Sequence, residues 1–167
     1  MKHQGFSLIE LIMVLTVIAI LSVVSFIALD PYKGIKLDAA TRKIAADVEY
    51  ARSLALTTAK WHGIGFDVAP ANKYSVYKTD GSTDEPIENP AKLGTDFIVL
   101  TWNDLGRVKI NSAAIGGGQK IEFSPLGAPY NDKNGSALAT PGIITLEYSG
   151  ITRRIEITPN TGKISIL

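Results

Sequence analysis

The chain has 167 residues and no cysteine. Disulfides, zinc–thiolate sites and thiol nucleophiles are excluded together. Histidine is nearly as scarce, with only His3 and His62. A His-Glu-x-x-His metal motif is absent. A Ser-His-Asp relay would have to use His62, and no nucleophile elbow accompanies it. Gly116-Gly117-Gly118-Gln119-Lys120 lacks the outer glycine and the Lys-Ser/Thr ending of a phosphate loop, so it reads as a turn. Net charge is +1, so no overall field attracts nucleic acid or acidic surfaces. Asp80-Gly81-Ser82-Thr83-Asp84-Glu85 and Asn131-Asp132-Lys133-Asn134-Gly135 place oxygen ligands close together. Neither has the later Glu of an EF-hand, and turn chemistry accounts for both. No catalytic residue, cofactor or metal is expected, and the chain reads as a non-enzyme.

What is present is a long apolar run at the N-terminus. Phe6 to Leu29 is 24 residues with one charge, Glu10, behind the polar leader Met1-Lys2-His3-Gln4-Gly5. As a helix the run reaches about 36 Å, against a hydrocarbon core of about 30 Å. A cleaved secretory signal fits poorly, because the run is too long and no Ala-x-Ala site follows it. A plain transmembrane anchor fits the length, with Lys2 holding the start in the cytoplasm. That reading leaves Glu10 without a purpose, unless Ser7-Leu8-Ile9-Glu10 is a capping box with Phe6 and Leu11 as its staple.

Gly5-Phe6-Ser7-Leu8-Ile9-Glu10 resembles the processing motif of type IV prepilins and type II secretion pseudopilins. The resemblance implies peptidase cleavage between Gly5 and Phe6 and N-methylation of Phe6. It also implies that Glu10 pairs with the N-terminal amine of a neighbouring subunit during assembly. Unpaired, each charge is costly in an apolar bundle; paired, they also set the register of adjacent helices. Many major type IV pilins close a C-terminal loop with a disulfide, so a chain without cysteine leans toward a pseudopilin or minor pilin.

Beyond Leu29, Asp30-Pro31-Tyr32-Lys33-Gly34 predicts a kink or a short melted stretch. Helix should resume near Leu37 or Asp38. Ala40, Ile44, Val48, Ala51 and Ala55 recur on one face, while Arg42, Lys43, Asp47, Glu49 and Arg52 occupy the other. Asp38 and Arg42 stand at a favourable i,i+4 spacing. From Trp61 the pattern turns to strands: His62–Val68, Tyr74–Lys78, Phe97–Trp102, Arg107–Asn111, Gln119–Ser124, Gly142–Tyr148, Thr152–Thr158 and Lys163–Leu167. Tyr148-Ser149-Gly150-Ile151 reads as a tight hairpin. Gly81–Asn89 and Ala128–Thr140 read as polar loops. One helix followed by strands only is α+β, a helix laid on an antiparallel sheet or sandwich. The expected divisions are a leader at 1–5, an apolar half-helix at 6–29, an amphipathic half at 30–60 and a β domain at 61–167.

The stretch Ala39–Ser53, the turn Ile121-Glu122-Phe123-Ser124-Pro125-Leu126-Gly127, the strand Arg153-Arg154-Ile155-Glu156-Ile157 and the final Thr161-Gly162-Lys163-Ile164 resemble the H-type (GspH/FimT-like) minor pseudopilins. That implies a pilin fold and a single-pass inner-membrane subunit with a periplasmic domain, later built into a filament. Implied partners are other pilin subunits, the prepilin peptidase, an assembly platform and membrane lipid. Major or minor type IV pilins and DNA-uptake pilins stay open as alternatives. The uptake class tends to end in Gly-Arg-x-Arg, where this chain has Gly162-Lys163-Ile164-Ser165. Candidate DNA contacts are Arg153, Arg154 and Lys163. Adjacent arginines on a strand face opposite ways, and phosphate binding needs clustered cations, so DNA is not the expected partner.

Overall fold

The computed structural model describes residues 7–27 and 29–167, with side chains for all of these except 23–27 and 29–31. The chain divides into two units, Met1–Ile35 and Lys36–Leu167.

The first unit contains helix α1 (Leu8–Ile27) and the start of α2 (Leu29–Thr58). Ile, Leu and Val dominate α1, which holds no Gly or Pro to break it. The melted stretch expected at Asp30–Gly34 is not there: α2 is helical through all five residues. Pro31 is the third residue of α2, inside the first turn, where main-chain N–H groups lack intrahelical partners anyway.

The second unit is α2 from Lys36 together with two antiparallel sheets. Its strands are β1 (His62–Asp67), β2 (Lys73–Thr79), β3 (Asp84–Pro86), β4 (Ile98–Leu100), β5 (Lys109–Ala114), β6 (Lys120–Phe123), β7 (Pro129–Tyr130), β8 (Gly142–Tyr148), β9 (Ile151–Ile157) and β10 (Ile164–Ile166), with a short helix α3 (Thr101–Asp104) after β4. One sheet runs β3-β2-β1-β6-β7 with β4 also on β2, and the other runs β10-β9-β8-β5. The expected α+β class, a helix packed on antiparallel sheet, is what the chain adopts.

One core joins α2 to both sheets. Leu37, Ala40, Ile44, Val48, Ala51 and Ala55 form the buried face of α2. Alanines there let the strands approach closely, while Leu37, Ile44 and Val48 each contribute about 1.5–3 kcal/mol by leaving water. They meet Ile64, Phe66, Val76, Ile121 and Phe123 of the first sheet and Ile110, Ile144, Leu146, Ile155 and Ile157 of the second.

Several local expectations change. Asp47 is buried, not on the solvent face, and accepts hydrogen bonds from the Tyr74 hydroxyl and Lys43. Asp38 pairs with Arg153 on β9 instead of Arg42. Trp102 lies in α3, not in a strand, because Thr101 turns the chain there: its hydroxyl donates to Asn72 O at 3.0 Å and lies 2.7 Å from Val108 O. The polar loops expected at 81–89 and 128–140 each contain a short strand, β3 and β7. The β8–β9 hairpin forms as expected, with Tyr148 opposite Ile151 and positive φ at both Ser149 and Gly150.

Candidate functional site

Gly5 and Phe6, the expected cleavage and methylation positions, lie outside the described residues, as does the staple partner of Leu11. The described site begins at Ser7. The amides of Glu10 and Leu11 donate to Ser7 O at 3.0 and 3.2 Å, starting α1. Glu10 Oε2 reaches back to the Ser7 amide at 3.4 Å. This is the glutamate half of a capping box; the reciprocal bond uses the Ser7 main-chain oxygen instead of its hydroxyl.

From Leu8 to Leu21, α1 presents apolar side chains on every side. Leu8, Ile9, Leu11, Ile12, Met13, Val14, Leu15, Val17, Ile18, Ile20 and Leu21 are all exposed, so no single face is covered. A helix of this kind needs a surrounding apolar medium, lipid or other helices. The hydroxyls of Thr16 and Ser22 are satisfied inside the helix, by Met13 O and Ile18 O at 2.8 Å each. Glu10 differs. Apart from its long bond to Ser7, its carboxylate stands at the head of an exposed apolar row, Met13, Val14, Val17 and Ile18. These stand three, four, seven and eight residues on, along one line of the helix. Among the described residues no helix is long and apolar enough to cross a membrane. The α1 side chains are described only as far as Ser22, and Leu8 to Ser22 covers about 22 Å.

The other candidates do not converge. Arg153 faces α2, its Nε donating to Asp38 Oδ1 at 2.7 Å. Arg154, its neighbour on β9, is exposed on the opposite side. Lys163 is exposed in the connection from β9 to β10. A groove of about 720 Å3 lies between α2 and β9–β10 and mixes Asp38 and Glu49 with Arg42 and Arg153. His62 is buried with Nδ1 3.1 Å from Lys60 O, and burial lowers its pKa. It is a packed histidine at the start of β1.

The two oxygen-rich segments at 80–85 and 131–135 are brought together. Lys133 Nζ donates to Asp80 O, and Asn134 Nδ2 donates to Gly81 O at 2.6 Å. Lys120 stands between them with Asp84, Glu122 and Asp132. Among the described residues no group of three or more His, Cys, Asp or Glu side chains is arranged to hold a metal ion. Buried Glu122 and its partner Tyr77 were not foreseeable from charge patterns, but one signal pointed there. His62-Gly63-Ile64-Gly65-Phe66 puts glycine at two successive positions on one face of β1, leaving a trough that Tyr77 and Glu122 occupy.

Comparison with known proteins bears on the start of the chain and on its fold. The family model described as the prokaryotic N-terminal methylation motif matches residues 1–26. No curated protein matches the chain in sequence. The type IV minor pilin FimU of Pseudomonas aeruginosa is similar in structure, with TM-score 0.51 and 14% identity over 81% of this chain and 90% of that one. The minor pseudopilin EpsH of the Vibrio cholerae type 2 secretion system is also similar, with TM-score 0.57 and 10% identity over 79% of this chain and 96% of that one. The chain therefore carries the N-terminal methylation motif at its start and the fold of type IV minor pilins and minor pseudopilins over most of its length.

Proposed function

We propose that the chain is a structural subunit of a type IV pilus-like filament, specifically an H-type minor pseudopilin of a type II secretion or related system. The observation that carries the reading is Glu10, one carboxylate at the head of a helix that is apolar all round. Prepilin peptidase cuts between Gly5 and Phe6, and the new amine of Phe6 is methylated. Before assembly the run from Phe6 to Leu29 crosses the inner membrane once, with the leader in the cytoplasm and the β domain in the periplasm. Support for that step comes from the length of the run, about 36 Å as a helix. The assembly platform then moves the subunit into the filament, where neighbouring helices replace lipid around α1. The Phe6 amine of one subunit and Glu10 of the next neutralise each other, which relieves two buried charges at once.

Intact mass of membrane-extracted protein tests the reading. The expected mass is that of a chain beginning at methylated Phe6; an uncut chain beginning at Met1 overturns it. A minor pilin of a type IV pilus is the second reading, favoured by the fold shared with FimU. Crosslinking in cells decides between them: pseudopilus subunits attached to the chain support the first reading, pilus subunits the second.

A further inference from the structure

The connection from β2 to β3 and the loop after β7 are about 50 residues apart in sequence, yet they close over one end of the first sheet. Lys120, at the start of β6, is their common centre. Its Nζ is 2.6 Å from Asp132 Oδ2, 3.0 Å from Glu122 Oε1 and 3.6 Å from Asp84 Oδ2. Glu122 is buried, its side chain 1% exposed. Its Oε1 also accepts the Tyr77 hydroxyl at 3.0 Å, and its Oε2 accepts the Lys133 amide. Asp80 Oδ1 accepts the amides of Ser82 and Thr83 at 2.8 Å each, shaping the first loop. Asp132 Oδ1 accepts the Asn134 amide at 2.8 Å, shaping the second.

Three carboxylates converge on one point, but they are not arranged to hold a metal ion. Here the point is filled by an ammonium, a compact charge with three donors. We propose that Lys120 is the resident cation of this clasp, so that the two loops close without calcium or any other divalent ion.

Without that charge, buried Glu122 would keep only neutral donors, the Tyr77 hydroxyl and the Lys133 amide, and the three carboxylates would repel one another. Burial works against a charged Lys120, but its bonds to Asp132 and Glu122 outweigh that and hold the proton more tightly than usual. Asp132 in turn is kept ionised more readily than an ordinary aspartate, first by Lys120 and then by the Asn134 amide. A cation carried on the chain cannot be removed by chelation or dilution, unlike a bound metal. The inference is independent of the filament reading, since it concerns only what closes the loops.

Thermal unfolding of the detergent-solubilised full chain, followed by circular dichroism, tests it. The wild-type midpoint should be the same in EDTA and in millimolar calcium. Lys120→Met, which keeps the stem and loses the charge, should melt at least about 5 °C lower. Lys120→Arg, which keeps a cation, should recover most of the loss. A wild-type midpoint that falls in EDTA or rises with calcium overturns the proposal, and so does Lys120→Met melting with the wild type. Should Lys120→Met not accumulate as folded protein, the EDTA and calcium arms on the wild type still decide.

Discussion

Asp38, one turn into the packed part of α2, receives the guanidinium Nε of Arg153 on β9 at 2.7 Å across a sequence separation of 115 residues. The pair ties the helix to the second sheet and removes Arg153 from any outward-facing basic patch. Both side chains are more than a third exposed, so solvent screens most of the attraction. Asp38→Ala is expected to lower stability by no more than about 1 kcal/mol in urea unfolding. A loss several times larger would show that the pair is held in a much drier setting than its exposure implies.

Two tyrosine hydroxyls donate to carboxylates in the core, Tyr74 to Asp47 and Tyr77 to Glu122. Burial first, and the carboxylate charge next, push both phenols above their ordinary value. The unfolded chain gives up these protons near pH ~10 while the folded chain keeps them. Stability should therefore be unaffected by these groups below about pH 10 and fall as pH rises beyond it. Each tyrosine contributes a slope of up to about 1.4 kcal/mol per pH unit. Tyr77→Phe should remove one such slope in alkaline urea titrations; an unchanged slope rejects the assignment.

His62 gives the opposite limb. Burial is the largest influence on its pKa and lowers it. The unfolded chain therefore takes up a proton first as pH falls through about 6.5, and stability declines below that value. Ring-proton NMR should show His62 titrating below the normal histidine range, and His62→Gln should flatten the acid limb between about pH 6.5 and 5.

Gly63 is fixed by space. A Cβ there would stand 2.8 Å from Glu122 Cγ, from the Ile121 carbonyl oxygen and from Tyr77 Cζ. The carbonyl belongs to the paired strand and cannot move without breaking the β1–β6 ladder. Gly63→Ala is expected to cost about 1–3 kcal/mol by chemical denaturation. Gly94→Ala, with nothing within 4 Å, has only its positive φ of 77° against it and should cost about 1 kcal/mol.

Glu10→Ala should leave processing at Gly5–Phe6 intact and abolish incorporation into filaments, read by shearing and immunoblotting. Glu10→Gln can still cap Ser7 but carries no charge, so it should fail like alanine if ion pairing is the function. Normal assembly of Glu10→Gln would reduce Glu10 to a helix cap.

How much of this was legible in the sequence depended on range. The buried row Ala40, Ile44, Val48, Ala51 and Ala55 follows from helical period alone, and β8 from its β-branched run between turn signals. Glu10 was legible because an apolar background makes one charge conspicuous. Asp47 was not: a helical wheel places it with Lys43 and Arg42, while its burial is decided by Tyr74 from β2. Strands β3 and β7 were hidden because Asp84-Glu85-Pro86 and Pro129-Tyr130 have no alternation and gain their ladder from β2 and β6. The Lys120 clasp was half visible, as two oxygen-rich turns, but the lysine between them came from a third segment.

The second sheet also sets an order of events during synthesis. Lys109–Ala114 finds its ladder partner only when Gly142–Tyr148 has been made, and Asp38 waits for Arg153. At about 5–20 residues per second, a separation of 115 residues is a delay of roughly 6 to 23 s. For that interval the apolar face of α2 has no second sheet to cover it, and the chain depends on whatever shields nascent chains at its site of synthesis.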